Sequence, residues 1–179
     1  PKEFCFCALG NLRKIKGYDI LLSAFREVVK EYPSCKLIIG GDGEEAEALH
    51  ALRDELILTK SVSFLGRVSL EKRYQFYQMA SAFVCSSHVE TFSIATIEAL
   101  ACGIPVVATK CGGPEDIVTD SNGYLVEKGS IAALAEGMIK MIENRACFDS
   151  NQIRHAAYLR YSEDYVVKQQ MACYKRMVL

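Results

Sequence analysis

The 179-residue chain is long enough for one domain with a substantial buried core. Hydrophobic residues make up 50%, charged residues 24%, and the net charge at pH 7 is −1, so nothing global points to nucleic acid or an acidic membrane surface. No apolar run approaches the length of a membrane span, and the N-terminus lacks the pattern of a signal peptide.

Phe4 to Leu9 reads as a buried first strand, followed by the loop Gly10-Asn11-Leu12-Arg13-Lys14-Ile15-Lys16-Gly17. That loop is basic and flanked by glycines, which suits a phosphate, although loop cations are commonly just solvated. It is neither a Walker A loop nor Gly-x-Gly-x-x-Gly. Tyr18 to Glu31 follows as a helix, with Leu21, Leu22, Phe25, Val28 and Val29 on one face. Lys36 to Ile39 is a second strand, ending in the turn Gly40-Gly41-Asp42-Gly43, and Glu44 to Leu56 is a second helix. Val62 to Gly66 is a third strand, left through Arg67 and Val68, and Ser69 to Gln78 is a helix with an ordinary cap.

The next unit carries the chemistry. Ala82 to Cys85 is an apolar strand that runs out into Ser86-Ser87-His88. Glu90 follows; Ser93 has the composition of an N-cap, and Ile94 to Ala101 is rich in helix formers. Gly103 and Pro105 end that helix, and Val106 opens another buried strand. Because the helix is apolar almost all round, it is expected to be buried, and Glu98 within it needs a partner. Helical side chains lean toward the N-terminus, so its carboxylate should lie over the turn at Ile94, beside the anion-attracting end of the helix. A phosphate bound there would have Glu98 next to the hydroxyls of an attached ribose. The alternative is a first-turn glutamate that only satisfies backbone donors.

After this unit, Cys111 to Glu115 turns into a short helix with proline near its start, and Gly123 to Val126 is a last strand. Ile131 to Glu143 is helical, with Leu134, Met138, Ile139 and Ile142 inward; residues 147–179 read as one or two terminal helices without a strand. None of the eight cysteines forms a Cys-x-x-Cys pair, and several sit in apolar runs, so they read as small buried hydrophobes of a reducing compartment. The three histidines form no ligand pattern, and no metal is expected. Regular alternation of strand and helix predicts an α/β fold, a Rossmann-like parallel sheet with helices on both faces. Ligands of such sheets bind at the carboxyl edge of the strands, which lets the loops at 10–17 and 88–94 face one crevice.

Glu90 and Glu98, with seven residues between them, and the run Glu98-Ala-Leu-Ala-Cys-Gly-Ile-Pro-Val-Val107 resemble the central motif of the retaining glycosyltransferases of family 4, glycosyl transferases group 1. Gly-Asp-Gly at 41–43 is similar to another motif of that family. The resemblance covers essentially all 179 residues, but only the C-terminal half of such an enzyme, and the chain starts at Pro1 like an excised domain. The first loop fits the family's Gly-Arg-Leu, three residues, Lys-Gly at Gly10, Leu12, Lys16 and Gly17, with Asn11 where the arginine is expected. There a charge-assisted contact of about 1.5–3 kcal/mol gives way to a neutral amide or comes from elsewhere, with Arg13 as the candidate substitute. The family's Glu-Gly-Phe-Gly reads Glu90-Thr91-Phe92-Ser93, and loss of both glycines is expected to narrow the donor pocket.

By this resemblance, residues 1–179 form a single nucleotide-sugar-binding domain, one half of a GT-B fold, whose N-terminal acceptor domain lies outside the chain. The implied reaction is transfer of a glycosyl unit from a UDP-, GDP- or ADP-sugar with retention, in the cytoplasm or at the inner face of a membrane as a peripheral protein. Glu90 would orient the donor sugar and Glu98 bind the ribose. Lys16 and the N–H groups around Ile94 and Ala95 would take the departing diphosphate without a metal or other cofactor. Gly10, Asn11, Arg13, Phe92 and Ser93 are further donor-binding candidates. Arg67 is a base-site candidate, although Gly66 ending a strand also accounts for its place. The acceptor, a glycan, lipid or small molecule, would come through the missing domain. Two other readings remain at this level: a GT-B-type nucleotide-sugar-binding module without chemistry, and an unrelated flavodoxin- or receiver-like α/β signalling domain. A receiver wants acids at strand ends, where this chain has a basic loop.

Overall fold

The computed structural model of the protein describes residues 3–178. Six parallel strands form one sheet: β1 (Cys5–Leu9), β2 (Lys36–Gly40), β3 (Val62–Phe64), β4 (Ala82–Cys85), β5 (Val106–Thr109) and β6 (Gly123–Val126), in the order β3-β2-β1-β4-β5-β6. The helices are α1 (Tyr18–Glu31), α2 (Ala46–Glu55), α3 (Leu70–Gln78), α4 (Ile94–Ala101), α5 (Gly113–Ile117), α6 (Ile131–Glu143), α7 (Ser150–Tyr161) and α8 (Glu163–Val178). Every element expected from the sequence is present, and the Rossmann-like class is the one observed.

The departures are local. β3 stops at Phe64 rather than Gly66, although Leu65 still donates to the Ile39 carbonyl at 2.9 Å and the Gly66 carbonyl accepts from Gly41 N–H at 2.8 Å. α2 begins at Ala46 because Glu45 donates to the Leu12 carbonyl at 3.0 Å, which ties that stretch to the first loop. The inner side of α6 is Leu134, Met138 and Met141, with Ile139 and Ile142 only half-buried at its margin.

β4 and β5 are buried along their whole length, as expected of parallel strands covered on both faces. Right-handed crossovers put α1 and α2 on one face and α3, α4 and α5 on the other. α6 packs on α1 and α7 on α4, completing the two layers. Phe6, Phe25, Phe83, Leu37 and Val107 are among the core residues that fill the space between them. Chain order reverses between β1 and β4, so their carboxyl ends diverge into a crevice. The loop at 10–17 and the loop at 86–93 leave the sheet there.

Among the described residues no helix is long and apolar enough to cross a membrane. No group of three or more His, Cys, Asp or Glu stands ready to hold a metal ion among them either. Cys7, Cys35 and Cys85 are buried and Cys5 and Cys102 half-buried; all five are free thiols.

Candidate functional site

Two clefts open at the switch point. The first, of about 430 Å³, is lined by Gly41, Asp42, Gly43, Arg67 and Val68. The second, of about 390 Å³, is lined by Lys16, Glu90, Thr91, Ser93, Ile94, Ala95 and Glu98. Leu9, Gly10, Asn11 and Arg73 line both, so the two clefts are continuous.

The two loops are stitched together by their backbones. His88 N–H donates to the Ile15 carbonyl at 2.8 Å, and the Ser86 hydroxyl donates to the Lys16 carbonyl at 2.9 Å. Gly17 is held left-handed at φ 63°, and a Cβ on it would lie 2.3 Å from the Ser86 carbonyl oxygen. Gly17→Ala is therefore expected to destabilise the fold by about 2–4 kcal/mol, left-handed strain and this clash acting together. Urea unfolding measures it; a loss under about 0.5 kcal/mol would mean the loops are not held by this contact.

Glu90 is fixed from below. Its N–H donates to the Cys111 carbonyl at 2.9 Å, and its carbonyl accepts from Gly113 N–H at 2.8 Å. Its carboxylate, only 14% exposed, accepts from the Lys16 ammonium at 2.5 Å and from the Ser87 hydroxyl at 2.8 Å. The two residues expected to act on the donor thus meet.

Ser93 occupies the N-cap position of α4, as its composition predicts, but makes no capping bond. Its backbone is left-handed at φ 57°, and its hydroxyl pairs with Thr96 Oγ1 at 2.8 Å instead. Left-handed backbone explains why glycine suits this position in the motif the chain resembles. Ile94 and Ala95 line the second cleft, and no side chain caps the N–H groups of this first turn.

α4 is less buried than its apolar sequence predicts. Thr96, Ala99 and Leu100 face the core, whereas Ile94 is 60% exposed at the crevice. Glu98 lies between these faces and has found partners on α3: Arg73 Nη1 donates to it at 2.5 Å and the Tyr77 hydroxyl at 2.9 Å. The same hydroxyl lies 3.2 Å from the Ala95 carbonyl, which puts the carboxylate over the turn N-terminal to its own Cα, as helical geometry requires. Burial and the adjacent Glu98 carboxylate raise the Tyr77 phenol far above its ordinary pKa, so it remains a donor.

Of the residues singled out in the sequence, Gly10, Asn11, Lys16, Arg67, Glu90, Ser93, Ile94, Ala95 and Glu98 line the clefts. Arg13 and Phe92 do not. Arg13 pairs with Glu44 at 3.6 Å on the outside of the loop, and Phe92 packs edge-on against Tyr161 of α7 at 6.4 Å. Sequence reasoning missed Arg73 and Tyr77. Their signal was an Arg and a Tyr four residues apart on the helix preceding the unit that holds an unpaired glutamate.

A family model described as Glycosyl transferases group 1 matches residues 1–160. An uncharacterized glycosyltransferase of Haemophilus influenzae is 34% identical over 139 residues, 76% of this chain and 39% of that protein. The N-acetyl-alpha-D-glucosaminyl L-malate synthase of Bacillus anthracis is 28% identical over 169 residues, 93% of this chain and 44% of that one. The chain thus spans less than half the length of these relatives. Among solved structures, Anabaena HepE in complex with UDP-glucose superposes with a TM-score of 0.84 at 27% identity, over 99% of this chain and 50% of that one. The C-terminal domain of LpcC, a glycosyl transferase group 1 family protein of Francisella tularensis, gives 0.77 at 26% identity, over 88% of this chain and 85% of that domain. All the residues lining both clefts fall inside the stretch that the family model matches, and the chain belongs to the glycosyl transferases group 1 family.

Proposed function

We propose that this chain is the donor-binding domain of a glycosyltransferase that moves a sugar from a nucleotide-diphosphate sugar to an acceptor with retention at the anomeric carbon. The observation that carries the reading is the continuity of the two clefts across Gly10 and Asn11, from Arg67 at one end to Glu90 at the other. A nucleotide sugar laid along it has its base near Arg67, its ribose against Glu98 and its diphosphate between Lys16 and the start of α4. The sugar then reaches Glu90, whose carboxylate accepts from its hydroxyls. Negative charge develops on the leaving diphosphate, and the Lys16 ammonium and the Ile94 and Ala95 N–H groups are fixed where that charge appears. The UDP-glucose in the HepE complex supports this class of donor. The acceptor is bound by an N-terminal domain that makes up the other half of the GT-B fold, so this fragment alone binds donor and does not turn it over.

Thermal shift with UDP, GDP and ADP, each with magnesium and with excess chelator, tests the reading. One of them at about a hundred times its dissociation constant should add roughly 2.7 kcal/mol of stability. The gain should be the same in chelator, because protein cations and N–H groups meet the phosphate charge. No response to any of the three at millimolar concentration defeats the assignment. Turnover by the full-length enzyme separates catalysis from binding alone.

A further inference from the structure

We infer that Arg73 of α3 is a phosphate-binding residue of this site and takes the phosphate adjoining the ribose of a nucleoside diphosphate. The inference rests on the donor-site reading above and assigns a contact that the first loop does not make. Lys16 and Arg73 are the cations lining the second cleft, and Glu90 and Glu98 are its carboxylates. Each cation is held by one carboxylate, Lys16 by Glu90 and Arg73 by Glu98, so the side-chain charges of the cleft sum to zero. Arg13, the remaining arginine of the loop, is engaged by Glu44 outside it.

Three features single out Arg73. It lines both clefts, hence their junction, and pairs with Glu98, which sets it beside the ribose of a ligand lying across them. Its guanidinium is underused: Nη1 donates to Glu98, while Nε is buried with no hydrogen-bond partner. A buried unpaired donor is costly, so a shift that gives Nε or the free edge of the fork a phosphate oxygen replaces a deficit with a charge-assisted bond. The side chain is 34% exposed, which leaves part of the guanidinium open to the cleft. Glu98 keeps the Tyr77 hydroxyl whatever Arg73 does, and so stays in place for the ribose. Arg73 and Glu98 then grip neighbouring parts of one ligand, phosphate and ribose, from opposite signs of charge.

The test uses Arg73→Gln, which retains an N–H donor toward Glu98 while removing the charge, and calorimetric titration with UDP and uridine, with GDP and guanosine in parallel. The diphosphate that binds the wild type should bind the variant about tenfold or more weakly, and its nucleoside within about twofold of wild type. Arg73→Lys, which keeps the charge, should lose less than Arg73→Gln. Arg73→Met, close in stem volume and uncharged, is read in the same way if the glutamine variant unfolds. Wild-type binding with an unchanged diphosphate affinity in the folded uncharged variant overturns the inference and leaves the donor site standing. So does an equal loss of nucleoside and diphosphate, which would make Arg73 a positioning residue for Glu98 only. Failure of the wild type to bind any diphosphate overturns the donor site itself.

Discussion

Lys16→Ala is expected to weaken nucleoside diphosphate binding by about 1.5–3 kcal/mol, roughly ten- to a hundredfold, and to leave the bare nucleoside nearly unaffected. The ammonium stands at the mouth of the first loop with 28% of its side chain exposed, one donor on Glu90 and the rest free for phosphate oxygens. Removing it also strands Glu90, whose carboxylate keeps only the Ser87 hydroxyl. A modest drop in melting temperature should therefore accompany the lost affinity, and Lys16→Ala/Glu90→Gln should recover much of the first but none of the second. Calorimetric titration of both proteins with UDP and GDP decides it. Equal diphosphate affinity in wild type and Lys16→Ala would remove Lys16 from the phosphate site and leave its pairing with Glu90 as a structural contact.

Glu98→Gln should fail differently. The substitution keeps the size of the side chain and its bond with Tyr77, but loses the ionised acceptor for ribose hydroxyls and the charge that holds Arg73. Nucleoside affinity should fall by about 1–2 kcal/mol. Diphosphate affinity should fall less, because Arg73, released from its carboxylate, meets the phosphate with more of its charge. The preference for ribo- over deoxyribonucleotide should shrink toward unity, and this ratio is the cleanest readout because both members carry the same phosphate. Circular dichroism and a melting curve must first show a folded protein, since Glu98 also joins α3 to α4. A folded variant with an undiminished ribose preference would make Glu98 a purely structural link between those helices.

Everything governed by local pattern was legible before folding. Alternating apolar strands and helices required a doubly covered parallel sheet, and all six strands and the helices between them form in the predicted order, with the ends of β3 and α2 displaced. Spacing placed Glu98 on the first turns of α4 and pointed its carboxylate back along the helix. The basic loop after β1 and the polar loop after β4 were legible as partners, because both leave strand carboxyl ends beside the point where strand order reverses.

Which charges meet was settled by tertiary packing. Nothing local distinguishes Arg13 from Arg73 as the cation of the site, since each is one arginine among polar neighbours. Packing turns the first out to Glu44 and brings the second, sixty residues later in sequence, to Glu98 at the junction of the clefts. The sequence showed that Glu98 needed a partner, yet that partner sits on a different helix, brought near by the crossover from β3 to β4. Likewise, serine at position 93 signals a capping side chain, but the turn from Glu90 into α4 forces left-handed backbone and sends the hydroxyl to Thr96. The first-turn N–H groups stay uncapped for that reason, an outcome of how the chain enters the helix, which residue identity alone does not encode.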